Sequence, residues 1–341
     1  MKQLMDNRIL LLCLIGGLAF FCKPPEVVNP FPAPGPVTPG DGTDPQAGTD
    51  GPAIILTSGS TVWFVHQNKC SADYREGVYR SIDVKQFASA IGLSAKYMDN
   101  VDECKPVDGG DNLLMTSSKG WCALVSLEKG EVLFSTTACP NAHSACVLPG
   151  GKIAVVCSSG TSSNNNCVQV YDRGRNNRVL CRESLENAHA VQYDEVSGKL
   201  YAAGGEQVNR YSLLNPDSDA PTLRLELIID TDCTSIHDMQ LIGDGRMLLS
   251  GNGVYALDLS SKVSTVLPRF KDNRKSAVKS INYDKDGGLW YTDTSEGQGD
   301  GVTIPEHRSL QVSHLSGLDA TGADKVIGMR DGVYKVRIVK W

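Results

Sequence analysis

The sequence predicts an all-β chain folded as a β-propeller of six blades, closed by pairing the two ends of the domain. Three observations carry this. Four stretches of the chain repeat one pattern, the repeat spans one propeller blade, and the termini hold complementary pieces of a further blade. The repeats start at Asn141-Ala142-His143, Asn187-Ala188-His189, Ser235-Ile236-His237 and Ala277-Val278-Lys279. Each continues as a short apolar strand, a glycine turn and a second strand. The equivalent positions 143, 189, 237 and 279 lie 46, 48 and 42 residues apart. Units of about 40–50 residues with several short strands are the signature of propeller blades. A third strand often follows within a unit, over 168–172, 207–213 and 253–259.

Two weaker copies bracket the four. Upstream, Glu103-Cys104-Lys105 leads to strands at 112–116 and 120–125. Downstream, Val333-Tyr334-Lys335 opens a strand with nothing after it. Its missing partners lie at 53–57 and 61–66, so one blade draws on both ends and leaves no open sheet edge. Six inner strands give six blades. Five or seven stays open, because 68–100 and 297–317 fall into no repeat.

The first 22 residues read as a targeting segment. Lys2 and Arg8 precede a 13-residue apolar run, 9–21, too short for a membrane-spanning helix. The run ends at Cys22 in a context that resembles a bacterial lipobox, although Phe21 stands where that pattern has a small residue. The resemblance implies that Cys22 is lipidated. Residues 23–52 hold nine of the sixteen prolines and read as a disordered Pro/Gly-rich tether. The expected organisation is therefore 1–22 signal, 23–52 linker and 53–341 propeller. The expected location is the cell envelope, in the periplasm or at the outer membrane, held to a membrane by lipid.

The net charge is −6 with 33 Lys and Arg against 39 Asp and Glu, so nucleic acid is a poor partner. Of the eleven cysteines, nine lie beyond Cys22. An odd number leaves at least one unpaired within the chain. Cys157 and Cys167 flank a polar loop between two apolar runs and are the specific pair expected to bridge. No CxxC occurs, which argues against a zinc ribbon.

The motifs Asn141-Ala142-His143-Ser144, Ala188-His189-Ala190, His237-Asp238, Val278-Lys279-Ser280 and Tyr334-Lys335 resemble, in the same order, a family of exported bacterial propellers catalogued as a domain of unknown function. The resemblance covers about residues 100–341. It implies six blades and no particular activity. The chain departs from that pattern after Thr292, where Asp293-Thr294-Ser295-Glu296 replaces an aromatic-rich stretch.

Propeller inner strands line a central channel, so His143, His189, His237, Lys279 and Lys335 are expected to converge on one mouth, with Asp238 nearby. Lys105 takes the matching place in the upstream copy. Such a ring suits an anionic small molecule or glycan, since a narrow cleft focuses positive potential. An enzyme is the alternative: a polysaccharide lyase or hydrolase acting on acidic glycans, with a His or Lys as base. Neutral His143, His189 and His237 would also suit a divalent metal, zinc or manganese, which the lysines would repel. A third reading makes the ring inter-blade bracing in a protein-interaction scaffold. His66 reads as structural, and His307 and His314 fall in no motif. Asp172, Asp258 and Asp284 read as turn caps.

Overall fold

In the computed structural model, residues 53–273, 276–296 and 307–339 are described. The signal, Cys22 and the Pro-rich tether lie outside them. The described chain forms six four-stranded antiparallel sheets. Their inner strands are Val101–Val107, Ala142–Leu148, Ala188–Asp194, Asp238–Gly243, Val278–Tyr283 and Val336–Ile338. We number the blades 1 to 6 in that order. Each inner strand packs on the next, and the sixth packs on the first.

Blade 6 is built from both ends of the domain. Val336–Ile338 pairs with Ala53–Ser58, which pairs with Thr61–His66, which pairs with Val78–Asp83. The expected closure is thus present. The segment 68–100 supplies the outer strand and 3-10 turns of this blade, and 309–333 supplies the two outer strands of blade 5, so neither adds a seventh blade.

Six apolar clusters hold the ring, one at each blade junction. The period-2 geometry of a strand sends alternate residues to opposite junctions. Ile54 and Leu56 pack toward blade 5 with Trp290 and Val312. Ile55 packs toward blade 1 with Leu113 and Trp121. Second strands are mostly buried on both faces and carry continuous apolar runs, as in Ile153-Ala154-Val155-Val156. Outer strands such as Val179–Ser184 are half exposed.

Four inner strands begin with a register shift that inserts one extra residue. The extra residues are Asp102, His143, His189 and Lys279. A bulge frees its residue from the ladder and re-aims its side chain. The chain before the histidines turns sharply, with Asn187 and Ser235 at φ 50° and 54°. Asn tolerates that left-handed region better than most residues. Gly204 lies against the Asn187 turn so closely that a Cβ there would sit 2.5 Å from the Asn187 carbonyl oxygen.

The disulfide differs from expectation. Cys157 bonds to Cys139, not to Cys167, at a Cα separation of 5.4 Å. Cys167 does face Cys157 across the ladder. Its thiol, however, donates to the Asn164 carbonyl at 3.1 Å, inside the polar loop that had suggested a clasp. The hairpin closes through hydrogen bonds. The sulfur bridge instead joins the end of blade 1 to blade 2.

Candidate functional site

The channel contains two tiers of polar side chains. The upper tier is the mouth. His143, His189 and His237 sit there side by side, with ring centroids 4.2 Å apart for the first two and 4.7 Å for the second two. The Tyr334 hydroxyl is 3.5 Å from His143 Nδ1. Asp102 completes the tier at 3.9 Å from His143 Nδ1. These groups line a cavity of about 370 Å³, together with Ser118, Asn141, Ser158, Ser159 and Arg308.

The imidazoles are neutral. Burial pushes His143 and His237 well below the ordinary histidine value, and nearby Lys335 and Lys279 push the same way. His189 is pushed down to about 4, again chiefly by burial. Its Nδ1 donates to the Asn187 carbonyl at 2.7 Å, which sets the tautomer and leaves Nε2 as an acceptor. His237 Nε2 accepts from Lys279 Nζ at 2.6 Å. His237 Nδ1 then carries its proton and is buried without a hydrogen-bond partner among the described residues. Burial also pushes Asp102 up, to about 7, although it accepts from the Ser118 amide.

The lower tier closes the channel. Arg337 lies between two fully buried carboxylates. Its Nε and Nη2 donate to Glu103, both at 2.8 Å, and its Nη1 and Nη2 donate to Asp238 at 2.7 and 3.0 Å. Lys335 Nζ lies 3.3 Å from Asp238 and donates to the carbonyls of His237 and Lys279 at 3.0 and 3.1 Å. Lys105 Nζ lies 3.3 Å from Glu103 and reaches across to Ser144, Ala145 and Val191. Burial opposes ionisation of Glu103, but Arg337, Lys105 and Lys335 outweigh it and hold the carboxyl far below its usual range. Asp238 is lowered in the same way by Arg337 and Lys335.

The structure therefore divides the residues singled out from sequence. It brings His143, His189 and His237 together at the mouth, with Lys279 buried behind His237 and outside the cavity wall. It places Lys335 and Asp238 one layer down, in the closed tier. Lys105 is not the blade 1 member of the ring. Asp102 is, because the bulge falls there and puts Lys105 three residues further along the strand. The imidazoles adjoin ring to ring rather than aiming their nitrogens at one point, and Asp238 is committed to Arg337 and Lys335. No group of three or more potential ligands has metal-holding geometry among the described residues. His314 binds Asp324 at 2.8 Å on blade 5, away from the channel.

Tyr334, Arg308, Ser158 and Arg337 were not singled out as site residues. Tyr334 and Arg337 stand in the terminal motif beside Lys335, so a signal existed. Arg308 comes from an irregular stretch and carries none.

Beyond the lower tier the channel opens again into a cavity of about 530 Å³. There Gln192, Gln240 and Asn282 each reach the backbone of the next blade. Gln192 accepts from Leu241 at 2.8 Å, Gln240 bridges both backbone groups of Tyr283, and Asn282 accepts from Ile338 at 2.8 Å. Bracing between blades is thus concentrated here and in the closed tier.

Fold and site together define a six-bladed propeller with a blocked channel and one polar, histidine-lined mouth. The chain belongs to a family described only as a family of unknown function (DUF6528), which matches residues 82–317. No curated protein matches it in sequence. Among solved structures it is similar to a chain of the nidogen/laminin complex, with TM-score 0.57 and 12% identity over 85% of this chain and 99% of that one. It is also similar to the WD40 propeller domain of Doa1, with TM-score 0.51 and 10% identity over 83% and 81%. At such identities the likeness is one of fold.

Proposed function

We propose that the protein is an envelope-anchored propeller that binds a small anionic ligand, of the acidic-sugar class, at the histidine mouth. One observation carries this reading. The channel holds four cations, Lys105, Lys279, Lys335 and Arg337, and ion pairs join three of them, Lys105, Lys335 and Arg337, to Glu103 and Asp238. Lys279 is the member outside these pairs, with the buried Asp293 carboxylate acting on it from beyond ion-pair distance. It has no carboxylate within ion-pair distance among the described residues and only a neutral imidazole to donate to. Buried charges are normally paired. An anion seated in the mouth would meet this charge across His237, which lines the cavity and accepts from Lys279. Arg308, at the cavity wall, adds a second cation, and the serine and asparagine side chains suit the hydroxyls of a sugar.

The anchoring part of the reading rests on residues 1–52. The described fold starts at Ala53, which accepts from the Val339 amide beside Ile338, at the opposite end of the channel from Gly59, which borders the mouth. A stalk ahead of Ala53 therefore joins the face opposite the mouth. This arrangement turns the site away from the point of attachment.

The binding test is thermal unfolding with gluconate, glucuronate and sulfate. A ligand that binds only the folded state raises the midpoint. A rise of several degrees that disappears in His189→Ala and Lys279→Met supports the reading. No rise with any of the three anions sinks it. The anchor is tested by metabolic palmitate labelling, with Cys22→Ala expected to abolish the label.

A further inference from the structure

We propose that Asp102 selects the ligand of the mouth: as a neutral acid it donates a hydrogen bond to a ligand carboxylate held by Arg308, so that one proton is taken up with each sugar acid bound. This inference rests on the mouth being an anion site. It adds a donor, a carboxylate ligand and a pH dependence to that reading.

The argument comes from comparing two neighbouring carboxyl groups. Glu103 turns into the closed tier, where Arg337 donates to both its oxygens. Asp102 is the extra residue of the blade 1 bulge, the position that His143 and His189 take in the next two blades. A bulge re-aims its side chain, and Asp102 lines the mouth cavity with the histidines, Tyr334 and Arg308. No lysine or arginine comes within ion-pair distance of it among the described residues. Lys335 and Arg308 act on it from further away. His143 Nδ1 lies 3.9 Å from its Oδ1, and burial keeps that imidazole neutral. The Ser118 amide donates to the other oxygen, Oδ2. Arg308, on the same wall, donates only to neutral acceptors among the described residues, Asn100 Oδ1 at 3.1 Å and the Ser58 hydroxyl at 3.4 Å.

A carboxylate arriving at Arg308 therefore shares a small cavity with a buried carboxyl that lacks a counter-ion. Two like charges in one buried site do not both stay ionised, and one oxygen keeps a proton. Burial already raises Asp102 to about 7 with the mouth empty, and a bound anion raises it further. Below about pH 7 the donor is in place before the ligand arrives. Above it the proton must be taken from solvent, so affinity falls as pH rises. Of the other groups facing Asp102, His143 is neutral, Tyr334 is pushed well above the ordinary tyrosine value by burial, and Lys335 lies against Asp238. His307 borders the same cavity, and Lys279, pulled down to about 8, stands behind His237.

The test is calorimetric titration of the full protein with glucuronate and glucose from pH 6 to 9. At pH 7.5 it is run in both Tris and Bis-Tris, whose ionisation heats differ. Glucuronate affinity is expected to be level below about pH 7 and to fall roughly tenfold per unit above it. The heat at pH 7.5 is expected to depend on the buffer, which reports proton uptake. Glucose, with no carboxylate, is expected to bind at least about tenfold more weakly at pH 6. Asp102→Asn, whose amide donates without titrating, is expected to bind more tightly than the native chain at pH 8 and to lose the slope that starts near 7. Any fall due to Lys279 starts about one unit higher. A slope that survives in Asp102→Asn, or that vanishes in His307→Gln instead, overturns the inference and leaves the anion site standing. So does a native affinity that is flat from pH 6 to 9, or a heat that ignores the buffer. Equal affinity for glucose, or no glucuronate heat at any pH, overturns both readings. If Asp102→Asn does not fold, the buffer dependence of the native chain decides.

Discussion

The two tiers of the channel are built from the same chemistry and end in opposite states. In the lower tier every charge has a partner: Arg337 is forked onto two carboxylates and Lys335 lies against one of them. One layer away, behind the mouth, Lys279 faces a neutral imidazole, and buried His237 Nδ1 has no hydrogen-bond partner among the described residues. A satisfied buried network rigidifies its surroundings, whereas a half-satisfied one is costly unless something completes it. The comparison teaches that bracing and binding have been separated along the channel axis. Residues at the bulge position point to the mouth. The next residues along, Glu103, Ser144, Asp238 and Ser280, join the closed tier.

Predictions follow from trying to break this division. The largest effect is expected in the lower tier. Arg337→Ala takes the forked partner from buried Glu103 and Asp238 and leaves each with a single lysine, and removing one partner of a buried ion pair costs about 3–5 kcal/mol. Urea unfolding is the measurement, and a loss under about 1 kcal/mol would mean that the tier is not closed as described.

Asp102 comes next. Its carboxyl is held near pH 7 in the folded state, above its ordinary value of 3.8. A raised pKa means that this group's contribution is fully present below about pH 4 and is lost as pH rises through about 7. Asp102→Asn is expected to flatten that decline, gaining on the order of 2 kcal/mol relative to the native chain at pH 8. Unfolding midpoints from pH 4 to 8 check it, and parallel profiles for the two proteins would refute it.

Gln240→Ala removes both bridges to Tyr283 and leaves two backbone groups to find new partners, a loss of about 1–3 kcal/mol. His189→Ala gives up the bond to the Asn187 carbonyl and the contact with the Ser158 hydroxyl, and a loss of about 1 kcal/mol is expected. If His189→Ala proves the more damaging of the two, the mouth is bracing after all.

The smallest effect sharpens the contrast most. Lys279→Met removes a buried ammonium whose desolvation and repulsion from Lys335 outweigh its attraction to Asp293, so stability at pH 7 is expected to stay level or rise. Lys335→Met, which takes one of the two cations from Asp238 and leaves the carbonyls of His237 and Lys279 without its donors, is expected to fall. Because the Lys279 pKa is lowered, its burden is present while it is charged, below about 8, and lifts as pH rises from there toward 10.5. The advantage of Lys279→Met should therefore vanish in alkaline buffer.

Much of this was legible in the chain. The 143, 189, 237 and 279 periodicity placed four side chains on one ring, because repeats of one blade put equivalent residues at equivalent heights. The split blade was legible because an inner strand at 333–339 lacked partners that 53–66 supplied. Lys105 was misplaced because Asp102-Glu103 matches His237-Asp238 in role but not in residue type, and the lysine three places on was the more eye-catching cation. The Cys139–Cys157 bridge was hidden because it joins neighbouring blades, and hairpin spacing says nothing of blade contacts.

By itself the sequence determined the propeller, its closure and the ring of histidines, since strand alternation and repeat length are local properties of the chain. Only the tertiary structure decided which polar residues are partners and which are left over. Arg337 meets Glu103 and Asp238 across a separation of 234 and 99 residues, and Lys279 is left with His237. The physical reason is that a buried charge is judged by its surroundings in three dimensions. Pairing and desolvation are set by what the closed ring brings within a few ångströms, and no repeat pattern encodes that distance.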